Sequence, residues 1–161
     1  MDDASRAHAE QDAQSRFRTS KADRDRSLDA IHLLEVHAAS AGPGREEEWR
    51  ASVQGALETL RAALSQQAEN SLGPDSLLST IRTEQPHLCP KIDQLRRRHQ
   101  AVSEQIDELN TELRSVAERA VIDIADIRQT LDLIATELRY QRARESDLVY
   151  EAYSLDLGEG D

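Results

Sequence analysis

The sequence predicts an all-α protein that folds as an up-down four-helix bundle with a polar N-terminal extension. Apolar residues recur at steps of three and four along four long segments, which is the period of amphipathic helices. Short groups of Gly and Pro separate the segments, and β-branched or aromatic runs are scarce. Helices of this kind bury their apolar stripes only against one another, so a bundle is the expected architecture.

The N-terminal residues 1–24 carry mixed charge and almost nothing apolar. They predict either a flexible arm or a polar extension of the first helix, and we expect the arm. The bundle itself is expected over residues 25–157, with residues 158–161 as an acidic tail.

The first two helices are predicted on either side of a Gly-Pro-Gly turn at residues 42–44. The first runs from about Asp25 to Ala41, and the second covers residues 45–72, both with apolar residues at helical spacing. Residues 73–90 predict a short helical turn between prolines, which we expect to be a connector on the surface.

The longest apolar pattern begins at residue 91. One stripe runs from Ile92 to Ala120, slips by one residue, and continues from Ile124 to Leu148. A single helix over residues 91–157 would be roughly 100 Å long, far longer than the two earlier helices. We therefore expect a fold-back within residues 110–121; the alternative is one continuous helix that dimerises as a coiled coil in a structural or adaptor protein.

Charge and composition exclude several classes of function. The net charge of −11 argues against a nucleic-acid partner, and the basic run at residues 96–98 is interpreted as a solvated helix face. The single cysteine, Cys89, excludes an internal disulfide and a cysteine-rich zinc site. No signal peptide and no apolar run of ~18 residues is present, so we expect a cytoplasmic protein without a membrane partner. Monomer and homodimer both stay open, as does an unidentified protein partner.

Several polar side chains with metal-ligating or hydrogen-bonding chemistry interrupt or flank the apolar stripes. They are His32, His37, Gln67, His99, Gln141 and Glu145. A lone histidine or glutamine on such a stripe is more often a hydrogen-bonded core residue than a ligand. Because these residues come from several helices, they predict convergence at one level of the bundle. A buried carboxylate there needs a partner.

At these residues the sequence resembles the hemerythrin-like (HHE cation-binding) family, over about residues 28–161. The stretches that carry the resemblance are "GREEEWRASVQGALETLRAAL", "GPDSLLSTI", "LRRRHQAVSEQIDEL" and "ARESDLVYEAYSLDLGEGD", the last similar to the ending of many bacterial members. The resemblance implies an up-down four-helix bundle. It also implies two non-haem irons held by histidines and bridging carboxylates, with oxygen carriage or oxygen and redox sensing as the activity.

Carried over by position, the resemblance implies an altered set of ligands. His99 matches the helix-three histidine and Glu145 the helix-four carboxylate, whereas Gln141 and Gln67 stand where histidines are expected. His32 or His37 would supply a helix-one ligand.

Amide oxygen is a poor donor to iron compared with imidazole nitrogen. We therefore expect a degenerate site in a non-enzymatic protein, with no metal or one weakly bound divalent cation rather than two irons. No nucleophile-base constellation is visible in the sequence.

Overall fold

The structure is a computed structural model that describes residues 3–40, 44–116 and 123–156. Its elements are four long helices and one short one: α1 (Asp3–Ala39), α2 (Glu46–Leu72), α3 (Leu77–Glu84), α4 (Cys89–Val116) and α5 (Ile124–Asp156). A short 3-10 turn, Pro86–Leu88, joins α3 to α4. The described residues contain no strand, so the predicted all-α helical bundle is confirmed.

The four long helices alternate in direction around the core. Ser27 of α1 contacts Gln67 of α2, and Asp23 contacts Asn70, so the residue numbers run in opposite directions along this pair. Further packing joins α2 to α4, α4 to α5, and α5 back to α1, which closes the ring of four helices.

The continuous-helix alternative for residues 91–157 is wrong. The α4 helix ends at Val116, and α5 begins at Ile124 and packs back along it. The Nζ atom of Lys91 bonds Glu151, so the start of α4 lies beside the end of α5. The connection between the two helices, residues 117–122, lies outside the described residues.

The α1 helix begins at Asp3 and therefore includes most of the stretch that the sequence set apart as an arm. The core-facing stripe of α1 continues toward the N-terminus in polar residues, because Ser20, Asp23 and Ser27 are all buried. The predicted acidic tail, residues 158–161, lies outside the described residues.

The segment between α2 and α4 is part of the core, contrary to the prediction of a surface connector. Leu78 and Ile81 of α3 and Leu88 of the 3-10 turn are buried. The interpretation of the basic run as a solvated face does not hold for Arg96, whereas Arg97 is exposed and the side chain of Arg98 is 38% exposed. Arg96 donates to the carbonyl of Leu72 at the end of α2, and Arg98 donates to Glu137.

The buried apolar residues form two separate clusters. The larger cluster joins α1, α2, α4 and α5 and includes Leu34, Leu57, Ile106 and Ile134. The smaller cluster lies at the end of the bundle that α3 covers; its members are Leu78, Ile81, Leu88, Ile92, Leu95, Leu148 and Ala152. The residues between these clusters are polar.

Replacing Ile106 by Ala is expected to reduce the free energy of unfolding by about 2–5 kcal/mol, because the side chain is fully buried in the larger cluster. Urea titration followed by circular dichroism measures the loss. The matched control is Leu133→Ala on α5, whose side chain is 60% exposed and whose loss should stay within about 0.5 kcal/mol. Equal losses for the two variants would contradict this assignment of the core.

Candidate functional site

The polar layer lies between the two apolar clusters, and each of the four long helices contributes to it. We define the layer as Ser27 of α1, Gln67 and Ser71 of α2, His99 of α4, and Gln141 and Glu145 of α5. On α4 the layer separates Leu95 of the smaller cluster from Val102 of the larger one. On α5 it separates Leu148 from Leu138 in the same way. The polar layer therefore crosses the bundle at one level.

A chain of hydrogen bonds connects three helices through this layer. Ser27 Oγ donates to Gln67 Oε1 at 2.7 Å, and Gln67 Nε2 donates to Glu145 Oε2 at 3.3 Å. Both ends of the Gln67 amide are therefore used. A glutamine suits this position because it accepts from one neighbour and donates to another.

Gln141 is directed toward its own helix and toward α4. Its Nε2 donates to Glu137 Oε1 at 3.0 Å. Arg98 donates to both oxygens of the same carboxylate, at 3.0 and 3.1 Å, and its guanidinium lies over the ring of Tyr140. This outer group fixes the amide of Gln141.

Glu145 is the acidic residue of the polar layer, and it is buried, with 6% of the residue exposed. Desolvation raises the pKa of its carboxyl above the ordinary value of 4.5, since burial penalises the charged form. Arg24 opposes the rise, followed by the Gln67 amide, the Ser71 hydroxyl and Arg142. The balance favours the protonated carboxyl to a higher pH than in an unfolded chain.

His99 is half-buried and faces the backbone of α2. Desolvation lowers the pKa of its imidazole, and the positive charge of Arg61 lowers it further. The carbonyl of Leu64, which faces the ring, partly offsets the shift. The neutral form of His99 is therefore favoured to a lower pH than in an unfolded chain.

A small cavity of about 30 Å³ lies beside Glu145. The whole polar layer lines it, together with apolar side chains from all four helices and with Arg24 and Arg142. Ser71 is 3% exposed, and its Oγ lies near the Glu145 carboxyl, whose pKa it helps to lower, without forming a well-aligned hydrogen bond within the described ranges. A space of this size holds one or two water-sized particles.

Four of the predicted site residues converge on this cavity: Gln67, His99, Gln141 and Glu145. The structure does not bring His32 or His37 to it. His32 is exposed, because five residues beyond Ser27 turn the helix by ~140°. His37 lies ~15 Å farther along α1 than Ser27, near the opposite end of the larger cluster.

The donors that converge do not suit a pair of irons. Only one carboxylate and one imidazole reach the cavity, and the other groups are amides and hydroxyls, which are weak donors to iron. Over the part of the chain that the structure describes, no three His, Cys, Asp or Glu side chains lie close enough to hold a metal ion.

Sequence reasoning missed the serines of the polar layer and the arginines at its edge. Ser27 and Ser71 are small polar residues of a kind common on exposed helix faces, so they carry little signal alone. Ser27 was detectable, because Leu34, Ile31, Ser27 and Asp23 follow one another at helical steps along the stripe of α1.

Comparison of the chain with protein-family models, with curated proteins and with solved structures finds no match. No helix within residues 3–40, 44–116 or 123–156 has the length and apolar character needed to span a bilayer.

Replacing Glu145 by Gln should remove a pH-dependent loss of stability. A carboxyl with a raised pKa in the folded state stabilises fully below its unfolded pKa, and this contribution is lost as pH rises through the folded pKa. The free energy of unfolding of the parent protein should therefore fall relative to that of Glu145→Gln as pH rises from 4.5. Urea titrations from pH 4 to 8 measure the difference.

The matched control for this experiment is Asp132→Asn, which removes one negative charge from an exposed position on the same helix. The difference in free energy of unfolding between this variant and the parent protein should stay nearly constant from pH 4 to 8. A constant difference for Glu145→Gln as well would show that the Glu145 carboxyl has the same pKa in the folded and unfolded states, which would contradict the raised pKa.

Replacing His99 by Leu should change the free energy of unfolding by no more than about 1 kcal/mol, and in either direction. The neutral ring contributes little besides its contact with the Leu64 carbonyl, and leucine restores apolar packing at the half-buried position. Thermal and urea unfolding measure the effect. A loss of several kcal/mol would show that His99 has a stronger partner.

Proposed function

We propose that this protein is a hemerythrin-like bundle of the cytoplasm in which a hydrogen-bonded polar layer replaces the diiron site. The observation that carries the proposal is the hydrogen bond from Gln67 Nε2 to Glu145 Oε2. It joins a position where the resemblance expects a histidine ligand to one where it expects a carboxylate ligand. An amide that donates to this carboxylate satisfies it without a metal.

The convergence of the matched positions supports the proposal. Gln67, His99 and the Gln141–Glu145 pair lie on three helices that are far apart in sequence, yet they line one small cavity in the middle of the bundle. The resemblance requires its four positions to meet in this way. A chance set of polar residues on three helices has no reason to share one level.

The chemistry of the polar layer supports a non-enzymatic role. Among the described residues it offers no nucleophile beside a base, since the groups that act on His99 are the Leu64 carbonyl and the positive charge of Arg61. Cys89 lies outside the layer, half-buried, with its Sγ 3.6 Å from the carbonyl of Arg82. Reversible oxygen carriage is therefore not part of the proposal, and the protein acts through its acidic surface on a protein partner or through a residual cation site.

Iron analysis tests the replacement of the diiron site. Protein purified without chelator from iron-supplemented cells should contain close to zero iron per chain, because the donor set lacks two imidazoles. Elemental analysis gives the number. Two irons per chain in the parent protein would overturn the proposal.

A gain of iron binding in a designed variant tests whether Gln67 and Gln141 occupy the ligand positions that the resemblance implies. The double variant Gln67→His/Gln141→His supplies imidazoles where the resemblance expects them, and it should bind iron that the parent protein does not bind. The matched control pairs Gln141→His with Gln66→His, since Gln66 is the exposed neighbour of Gln67 on α2. Equal iron in the two double variants would contradict convergence at ligand positions.

A further inference from the structure

The outward side of the α1–α2 pair exposes apolar and small residues to solvent. On α1, Leu33 is 41% exposed and Val36 is 50% exposed. On α2, the exposed residues that recur at helical steps on this side are all uncharged: Ala51, Gly55, Thr59, Ala62 and Gln66. An open groove between the two helices follows the same side. We define the outer face as Leu33 and Val36 of α1 with Ala51, Gly55, Thr59 and Ala62 of α2.

The charged residues of α2 are kept away from the outer face. Glu48 and Glu69 bound the face at its two ends, about 30 Å apart. The three charged residues between them, Arg50, Glu58 and Arg61, all bond residues of α4. Charged residues make up 32% of the chain, so an uncharged exposed stripe of this length is unusual for a surface that meets only water.

Gly55 lies at the centre of this stripe, and contacts within one chain do not explain it. Glycine in the interior of a helix lowers helix stability relative to alanine, because its backbone has more freedom to lose. A Cβ at position 55 would meet no atom of the described chain within 4 Å apart from the backbone of its own helix. A close approach by a second chain at the outer face would account for the glycine.

We propose that the outer face is the interface of a homodimer, in which α1 of each copy packs on α2 of the other. A twofold axis parallel to the helices brings the two outer faces together with each residue at its own level along the bundle. Leu33 shares its groove with Thr59 and Ala62, so in the dimer it meets these residues of the second copy.

The shapes of the two helices are complementary in this arrangement. Val36 lies nearly one turn beyond Leu33 on α1, and Gly55 lies one turn before Thr59 on α2, so Val36 meets Gly55 of the second copy. Two bulky apolar side chains therefore enter a stripe of small ones, and the twofold axis repeats the contact. A surface that is complementary to itself favours a second copy over an unrelated protein as the occupant.

Charge at one end of the outer face also fits a second copy. Arg26 lines the groove together with Gln66, and its side chain is 61% exposed. In the dimer Arg26 therefore lies opposite Gln66 of the second copy and within one turn of its Glu69. Only Nη1 of Arg26 bonds Asp23, so the guanidinium keeps donors for a second carboxylate. The contact between Arg26 and Glu69 occurs twice in the dimer.

The size of the outer face suits a dimer that dissociates on dilution. Two adjacent helices are roughly 20 Å wide, and a length of about 30 Å gives roughly 600 Å² from each copy. The total of roughly 1,200 Å² is at the lower limit for specific protein interfaces. The inference does not depend on the polar layer or on the proposed function.

Sedimentation equilibrium of the full chain, from low micromolar to millimolar concentration, tests the dimer. The apparent mass should rise from 18.1 kDa toward twice that value as the concentration increases. A mass that stays at 18.1 kDa up to millimolar concentration overturns the inference and leaves the outer face to a different protein. Larger assemblies without a plateau at the dimer also overturn it, because a twofold interface closes.

Substitutions at the outer face locate the interface. Val36→Glu should raise the Kd of the dimer at least about tenfold, because it buries a charge among small residues. The matched control is Leu133→Glu, at a residue of α5 that is 60% exposed and lies outside the outer face, and it should dimerise as the parent protein does. Equal losses in the two variants would place the interface elsewhere.

Gly55→Leu separates association from folding. Leucine favours the helix and has open space in the single chain, so at a dilution where both proteins are monomers Tm should rise by about 2–4 °C. The same side chain fills the space that Val36 of the second copy needs, so the dimer should be lost. A variant that dimerises as the parent protein does would contradict the packing of α1 on α2.

A charge exchange tests the contact between Arg26 and Glu69. Arg26→Glu and Glu69→Arg each place like charges at both contacts of their own homodimer, so each should weaken association several-fold. A mixture of the two variants forms heterodimers in which both contacts pair opposite charges, and it should associate as the parent protein does. A mixture that associates no better than either variant alone overturns the proposed arrangement.

Discussion

The structure depends on keeping the carboxyl group of Glu145, which has no ion-pair partner within 4 Å among the described side chains, inside a mostly apolar core. Burial of an acid without partners is strongly unfavourable, so neighbouring helices must supply hydrogen bonds at the same level. Gln67 supplies one directly, and Ser27 orients Gln67. The polar layer is the result, and it divides the core into two apolar clusters.

The polar layer also fixes how the helices align along their axes. Apolar stripes pack nearly as well after a shift of one turn, because leucine and isoleucine make similar contacts at each level. A shift of one turn at α2 or α5 would separate Gln67 from Glu145 and leave a buried carboxyl without its donor. Buried polar residues play this role in coiled coils, where one such residue selects the register at some expense of stability.

The sequence predicted the fold well because burial imposes a helical period on every long segment. The prediction that this segment is a surface connector failed at α3. Its eight residues lie between two prolines and are too few to show the helical period clearly, so their apolar side chains resembled those of an ordinary connector. The larger members of the polar layer were predictable because each interrupts an apolar stripe. Ser71 was not, because nothing in one helix distinguishes a buried serine from an exposed one. The histidines of α1 were misjudged for a related reason: the face that a residue presents depends on helix rotation, which the partners set.

The smaller apolar cluster has a consequence for the order of folding. Five of its seven buried members, Leu78, Ile81, Leu88, Ile92 and Leu95, lie within 18 consecutive residues. Contacts within so short a segment close small loops, whereas those of the larger cluster join residues as distant as Ala30 and Leu138. Local contacts form faster than distant ones because less chain entropy is lost before they are made. We therefore expect the contacts of the α3–α4 corner to be among the first that form during folding.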